Sequence, residues 1–421
     1  MQKEGPTLVM NILIIHPSFA GQFVYLAPYL AQNPENQVVF LAKENSMKAE
    51  LPGVRLALYK PPRAVGKETH HYLTTATEAV LEGQQTVRAL DGLRRKGFVP
   101  DVIVGHTGWG SLLYCKDIYP DVPVLGYFEW YYLSEHSDSY WWPDEVPEID
   151  AKLAIRSKNM HHLLSLESCD LRMTPTKWQL SRFPKHWQER MVVQHDGTDT
   201  VFCCPPEGER PGLDLKFTFD EKEQELHLPQ GTEIITYVSR GFEAMRGFPQ
   251  FMDAMRIVLK NRPQAHVVCM GNDRICYGAA LKDTTYLKEE RKKGGYDETR
   301  IHFIGSTNRR DYKKVMQASS CHVYLTRPFI LSWSMLEAMS FGLPLVASKT
   351  PPCEEVVEDG VNGLLAEFRS PHHIARRVEE ILDDRALAER LGKAARETVL
   401  ERYDLTHALR REEDLIYSLV K

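Results

Sequence analysis

Arg327–Pro344 reads RPFILSWSMLEAMSFGLP and follows a short apolar run, Cys321–Leu325. The run has the length and β-branched content of a buried strand. The next residues, through Leu331, are irregular. A helix is then expected to begin near Ser332–Ser334 and to run to Phe341, before a further strand at Leu343–Ala347. A strand that hands over to a helix through a loop presents backbone N–H groups at the helix start, where they suit an anion such as a diphosphate. Glu337 falls about one turn inside that helix, within reach of a ribose diol. A second reading needs no ligand: Ser334-x-x-Glu337 also has the spacing of a capping box.

The same alternation extends in both directions. Upstream in this half, strands are expected at Glu233–Val238, Ala265–Met270 and Arg300–Ile304, with helices at Phe248–Lys260 and Arg309–Ala318. In the first half the strands read as Asn11–Ile15, Gln37–Leu41, Asp101–Val104, Val122–Tyr127, Leu171–Met173 and Met191–Val193, with helical patterns at Phe23–Ala31 and Thr74–Lys96. Strands alternating with helices over the whole chain indicate an α/β protein with parallel sheets. At 421 residues the chain exceeds one hydrophobic core. The expectation is two Rossmann-like doubly wound domains facing each other across a cleft. Residues 1–204 form the first, 205–230 a linker marked by Pro205, Pro206, Pro211 and Gly212, and 231–400 the second. Residues 401–421 are expected to form a final helix that packs back toward the N-terminal domain.

Composition narrows the function classes. The formal net charge is −5, so no global field draws nucleic acid. No stretch approaches the eighteen apolar residues of a membrane span. Residues 1–17 place charges before a short apolar run, but Asn11 interrupts it and no clean cleavage site follows, so it reads as the first strand. None of the eight cysteines forms a C-x-x-C pair, and the His-His pairs at 70–71, 161–162 and 372–373 have no matching acidic partners. No D-x-D occurs. No metal and no cofactor are expected, and a cytoplasmic location follows, with the inner face of a membrane as a further option. That option rests on Lys177–Arg190, where Trp178, Phe183 and Trp187 interleave with basic residues as in a peripheral membrane anchor. The plain alternative is that those rings pack inside the domain.

Ligands of open parallel sheets bind beyond the carboxyl ends of the strands. In the first half those ends deliver His16 with Gly21, His106, and Glu129. A loop-stabilising role for His16 stands beside ligand contact. In the second half they deliver Arg240, Asn272, Ser306 and the Leu331–Ser334 turn. Arg240 and Arg246 lie six residues apart in SRGFEAMRG, one closing a strand and one opening a helix, which suits a bidentate grip on a diphosphate. They would also offset charge growing on a departing nucleoside diphosphate. Two solvated surface arginines are the plain alternative.

Taken together these segments resemble the retaining glycosyltransferases of family 4, the group 1 glycosyltransferases with the GT-B fold. NILIIH ending at His16 and followed by Gly21 resembles the family's first strand and glycine loop, PDVIVGH ending at His106 its active-site histidine strand, and Met173-Thr-Pro-Thr176 with HDGTD (195–199) the end of its first domain. Arg240…Arg246 and Glu337-Ala-Met-x-x-Gly-x-Pro344 carry the resemblance most specifically. It implies that Arg240 and Arg246 hold the diphosphate, Arg246 standing where lysine is commoner. Glu337 would bind ribose, and the amides of Leu331, Ser332 and Trp333 would meet the β-phosphate and sugar. Asn272 and Ser306 would lie near the base, Gly21 near the phosphates, and His106 near the sugar or acceptor. The family often has a glutamate where this chain has Phe329, so the donor sugar cannot be carried over. Glu129 is a candidate to supply an acidic group, beside a purely structural role. The implied partners are a nucleotide-sugar donor and a glycan, lipid-linked or other hydroxyl acceptor, in polysaccharide or glycoconjugate assembly. Alternatives on the same fold are a nucleotide-sugar 2-epimerase, a sugar phosphorylase, or a non-catalytic nucleotide-sugar-binding partner.

Overall fold

A computed structural model describes residues 10–46 and 50–420. The stretch before Met10, part of the segment weighed above as a leader, lies outside the described residues. The chain divides into two compact units, Met1–Gly197 with Thr406–Lys421, and Thr198–Leu405.

Unit 1 is built on seven strands, β1 (Asn11–Ile15), β2 (Gln37–Lys43), β3 (Arg55–Tyr59), β4 (Val102–His106), β5 (Val124–Tyr127), β6 (Leu171–Thr174) and β7 (Met191–Val193). They pair in the order β3-β2-β1-β4-β5-β6-β7, all parallel. The central strands are near-continuous apolar runs because a parallel sheet is covered on both faces; four of the five residues of β1 and all of β4 are buried. Strand β3 has no counterpart among the expected strands. It is an edge strand, RLALY, whose mixed exposure hides it from a search for apolar runs. The expected helix Phe23–Ala31 is broken into a 3-10 turn, Gly21–Val24, and a short helix, Leu26–Leu30. The long helix α1 (Thr74–Arg95) crosses from β3 back to β4.

The expected linker is not a linker. Residues 213–228 form an antiparallel hairpin, β8 (Leu213–Phe219) and β9 (Lys222–Leu228). Its two-residue turn places Asp220 and Glu221 at φ 49° and 61°, the left-handed pair that matches strand twist in a type I′ turn. Leu213, Leu215, Leu226 and Leu228 insert into the core of unit 2, so the prolines and charges flanking them mark a surface turn and a polar face. Unit 2 itself starts at Thr198.

The main sheet of unit 2 comprises β10 (Ile234–Gly241), β11 (His266–Asn272), β12 (Ile301–Gly305), β13 (Cys321–Tyr324), β14 (Leu345–Ser348) and β15 (Leu364–Ala366). Its order, β12-β11-β10-β13-β14-β15, is again parallel and repeats the order of the first six strands of unit 1. In both sheets the order reverses beside the first strand, which is where such folds open a crevice for ligands. Helices α2 (Phe248–Asn261), α3 (Arg309–Ala318) and α4 (Trp333–Ser340) cover this sheet. The last helix, α5 (Leu405–Ser418), clusters with unit 1 from Thr406 onward, where Tyr29 donates a hydrogen bond to Glu413 at 3.0 Å.

Among the described residues no helix is long and apolar enough to cross a membrane. The aromatic residues weighed as a peripheral anchor are buried: Trp178, Phe183 and Trp187 are 8%, 2% and 9% exposed. Arg182 stacks on Trp178, and Arg172 and Arg190 flank Trp187. The interleaving of aromatic and basic residues here is cation–π packing within the unit.

Candidate functional site

In unit 2, β10 runs on through a register shift between Val238 and Gly241, so Arg240 sits inside the strand's last turn of pairing instead of beyond it. The chain then makes a 3-10 turn, Ala244–Arg246, and enters α2 through Gly247 at φ 65°. A side chain is excluded there, since a Cβ would lie 2.6 Å from the Cβ of Leu325. This tight approach drives Arg246 against the end of β13. The side chain is 6% exposed, and its Nη1 donates to Tyr324 Oη (3.0 Å), Thr326 Oγ1 (2.9 Å) and the Ile330 carbonyl (2.8 Å). Burial opposes its charge, but the acidic groups around it, Tyr324 first and the Glu243 carboxylate among them, raise its pKa, so the guanidinium stays charged. All three of these hydrogen-bond partners are neutral.

Arg240 is exposed and donates from Nη1 to Tyr277 Oη at 3.4 Å. The guanidinium of Arg246 lies 5.2 Å from the Tyr277 ring. Tyr277 therefore stands against both arginines, a residue that the sequence reading missed because it sits in an aperiodic loop. The loop is fixed by another missed residue. Glu243, fully buried, accepts from the backbone N–H groups of Cys276 (3.1 Å), Tyr277 (3.0 Å) and Gly278 (3.0 Å). Phe329, at the family's usual glutamate position, packs 5.3 Å from Tyr277 and is 6% exposed.

The start of α4 differs from the capping-box alternative. Ser332 is the N-cap: its Oγ accepts from the Ser334 amide, and its own N–H donates to Tyr324 Oη at 2.9 Å. Glu337 does not fold back to the cap. It accepts from Arg309 at 3.2 Å and from Tyr312 at 2.8 Å. A carboxylate offers about four acceptor positions, so two hydrogen bonds leave capacity for a diol. Leu331 is buried, Trp333 opens the helix half-buried, and Asn272 donates to Ser306 Oγ at 2.6 Å across the ends of β11 and β12.

In unit 1 the strand ends form a second group. Gly21 sits at φ 54°, and a Cβ on it would fall within 2.5 Å of the His16 ring atoms. His16 Nε2 pairs with Gln22 Oε1 (2.9 Å), Gln22 donates to Glu129 Oε1 (3.2 Å), and Glu129 Oε2 lies 3.5 Å from His106 Nε2. Burial, then the neighbouring His106, lowers the His16 pKa to about 3, so this ring is a neutral scaffold. His106 is 1% exposed, and its Nδ1 accepts from the Gly108 amide at 2.9 Å. Gln22, which bridges His16 and Glu129, had no signal in the sequence beyond its place after Gly21. The predicted site residues thus gather in two groups, one at the strand ends of each unit.

Two family models match the chain: the Glycosyl transferase family 4 group over residues 34–203 and the Glycosyl transferases group 1 over residues 218–398. Spore coat protein SA of Bacillus subtilis is 26% identical over 51% of this chain and 55% of its own length. The D-inositol 3-phosphate glycosyltransferase of Corynebacterium aurimucosum is 22% identical over 60% of this chain and 56% of its own length. The chain spans about half the length of these curated relatives. The solved sucrose-phosphate synthase of Thermosynechococcus elongatus superposes with a TM-score of 0.70 at 16% identity, covering 97% of this chain and 98% of that one. Anabaena Alr3699/HepE, solved in complex with UDP-glucose, superposes at 0.65 and 15% identity over 97% and 100%. By its two family models and its pair of Rossmann-like sheets, the chain belongs to the family 4, group 1 glycosyltransferases with the GT-B fold.

Proposed function

We propose that the chain transfers a glycosyl group from a nucleoside-diphosphate sugar to a hydroxyl acceptor, with retention of configuration and without a divalent cation. One observation carries the reading: Arg246 is a buried, charged guanidinium whose three hydrogen-bond partners are neutral, with the exposed Arg240 joined to it through Tyr277. Glu243 favours its charge without a side-chain hydrogen bond to it, and a diphosphate would add a direct ion pair to the buried cation. Arg240, Arg246 and the amino end of α4 then take up the charge that develops on the leaving group, the work a metal does elsewhere. Glu337, held by Arg309 and Tyr312, accepts from the ribose diol, and Asn272 with Ser306 lies toward the base. The strand ends of unit 1, with His106 and Glu129, are assigned to the acceptor.

In the transfer step the anomeric carbon's bond to the diphosphate oxygen breaks, and the acceptor oxygen bonds on the same face. The acceptor's proton passes to the departing phosphate oxygen. This balances with no further reactant and accounts for retention. HepE, solved with UDP and with UDP-glucose, supports a nucleotide-sugar donor, and polysaccharide or glycoconjugate assembly is the expected setting.

The test measures acceptor-dependent release of nucleoside diphosphate in excess EDTA. The wild type is expected to turn over, and Arg240→Ala, exposed and so neutral for folding, to be slower by about 100-fold at an unchanged melting temperature. Equal turnover in the variant, or a strict need for added divalent cation, contradicts the reading.

A further inference from the structure

On one flank of unit 1 an apolar helix face has no cover. The helix Ile149–Ser157 has none of its nine residues buried, although it carries Ile149, Leu153 and Ile155. Lys158 and Asn159, both in right-handed helical conformation, lead directly into a second helix, Met160–Ser168. That helix buries one side, His161, His162, Ser165 and Leu166, and turns Met160, Leu163 and Leu164 outward. Five of the sixteen exposed large apolar side chains among the described residues fall between Ile149 and Leu164, and Ile149 is 71% exposed. Scattered apolar residues on a surface are ordinary, but a run this dense marks an interaction site. Ile149, Leu153, Arg156, Met160 and Leu163 recur at spacings of four and three, which lines them along one side of the two helices.

The charge around this stripe says what covers it. Between Ile149 and Leu164 there are three basic residues, Lys152, Arg156 and Lys158, and one acid, Asp150. The 3-10 turn His71–Leu73 is fastened beside the first helix, Tyr72 donating to Asp150 and His71 standing 3.2 Å from the same carboxylate. That turn ends a loop bearing Lys60, Arg63 and Lys67 against a single acid, Glu68, all four exposed. Of the other acids at this edge, Glu135 is held by Lys152 and Glu145 by the Trp141 and Trp142 amides, while Glu148 and Glu167 stand at the two ends of the stripe. The face is thus apolar and locally cationic on a chain of net charge −5. A second copy of it would set Arg156 and Lys158 against their own kind. A bilayer with anionic head groups takes the apolar side chains at its acyl boundary and the basic ones at its surface, where their long stems reach the phosphates.

We infer that unit 1 binds an anionic lipid surface through the stripe Ile149–Leu164, with the loop Lys60–Lys67 supplying further positive charge. The turn His71–Leu73 and the helix Ile149–Ser157 follow loops that leave the carboxyl ends of β3 and β5. His161, on the buried side of the second helix, donates from Nε2 to the Gly108 carbonyl at 3.1 Å, just beyond the end of β4. The lipid-binding face and the strand ends of unit 1 therefore share one side of the sheet. The inference stands apart from the transferase reading and does not rest on it.

Co-sedimentation of the full chain with vesicles tests this, one set made of phosphatidylcholine alone and one containing a third of phosphatidylglycerol. Binding is expected to the second set only, and to weaken as salt is raised, because salt screens exposed charges. Ile149→Ser with Leu153→Ser is expected to weaken it about tenfold or more, and so is Arg156→Gln with Lys158→Gln. All four side chains are exposed, and thermal melts establish that both double variants are folded. No binding to either set, equal binding to both, or undiminished binding in the folded Ile149→Ser, Leu153→Ser variant overturns the inference. A dimer in solution that this variant dissolves would assign the face to a second copy and overturn it as well. A parallel melt with UDP-, GDP- and ADP-linked sugars separates the two readings. Stabilisation by a nucleotide sugar with no vesicle binding removes the lipid face and leaves the transferase. Vesicle binding with no nucleotide-sugar binding does the reverse.

Discussion

Glu243 is one of the most consequential single residues in unit 2; its backbone carbonyl accepts from the Arg246 amide at 3.3 Å, and its side chain acts on a different loop. Its carboxylate collects three part-buried backbone N–H groups, and so sets Tyr277 against Arg240 and Arg246. Leaving such donors unsatisfied costs about 1–3 kcal/mol for each group. Glu243→Ala is expected to lose about 3 kcal/mol or more in urea unfolding. Glu243→Gln, which keeps one carbonyl oxygen, should lose less and still bind nucleotide sugar more weakly because Tyr277 is less firmly held. Stability within experimental error of wild type in Glu243→Ala would remove the clamp. Arg240 and Arg246 were legible because charged residues at strand ends are few and their spacing is distinctive. Glu243 sits between them in the same nine residues, yet its role depends on a loop more than thirty positions away. No local pattern encodes that distance, and the same holds for Gln22.

At the scale of elements, local patterns read well where an element is buried on both faces and poorly at edges. The apolar runs of β1, β4 and β10 are unmistakable, whereas β3 and the hairpin β8–β9 bury one face only. Leu213, Leu215, Phe217 and Phe219 do alternate with polar residues, which is the period of a half-buried strand. The prolines and the charge just beside them masked it. The capping-box spacing at Ser334 and Glu337 shows the converse. The motif is present, but Tyr312 and Arg309 compete successfully for the carboxylate. Helix α5 carries a prediction of its own. Glu412 is buried on it facing Asp196, and burial first, then that neighbouring charge, raises its pKa well above the ordinary carboxylate value. The folded state thus holds a proton that the unfolded chain has released, so stability falls as pH rises from the unfolded carboxylate pKa through the folded one. Glu412→Gln should be more stable than wild type at pH 7, with the difference shrinking toward pH 4. A difference independent of pH over that range would contradict this account of the helix.

At the scale of the molecule, one strand order is used twice and the chain passes between the units twice, after Gly197 and after Leu405. Alternation of strand and helix announced both sheets; the boundary at Thr198 was invisible because no change in composition accompanies it. The function reading depends most on the buried guanidinium of unit 2. Calorimetric titration of UDP, GDP and ADP into the wild type, Arg246→Lys and Arg246→Met tests it most directly, with melting temperatures confirming that each is folded. One nucleoside diphosphate is expected to bind the wild type and Arg246→Lys, and to bind the neutral Arg246→Met about 10- to 100-fold more weakly, the value of a charge-assisted hydrogen bond. Undiminished binding in Arg246→Met, or no binding of any of the three to the wild type, would contradict it.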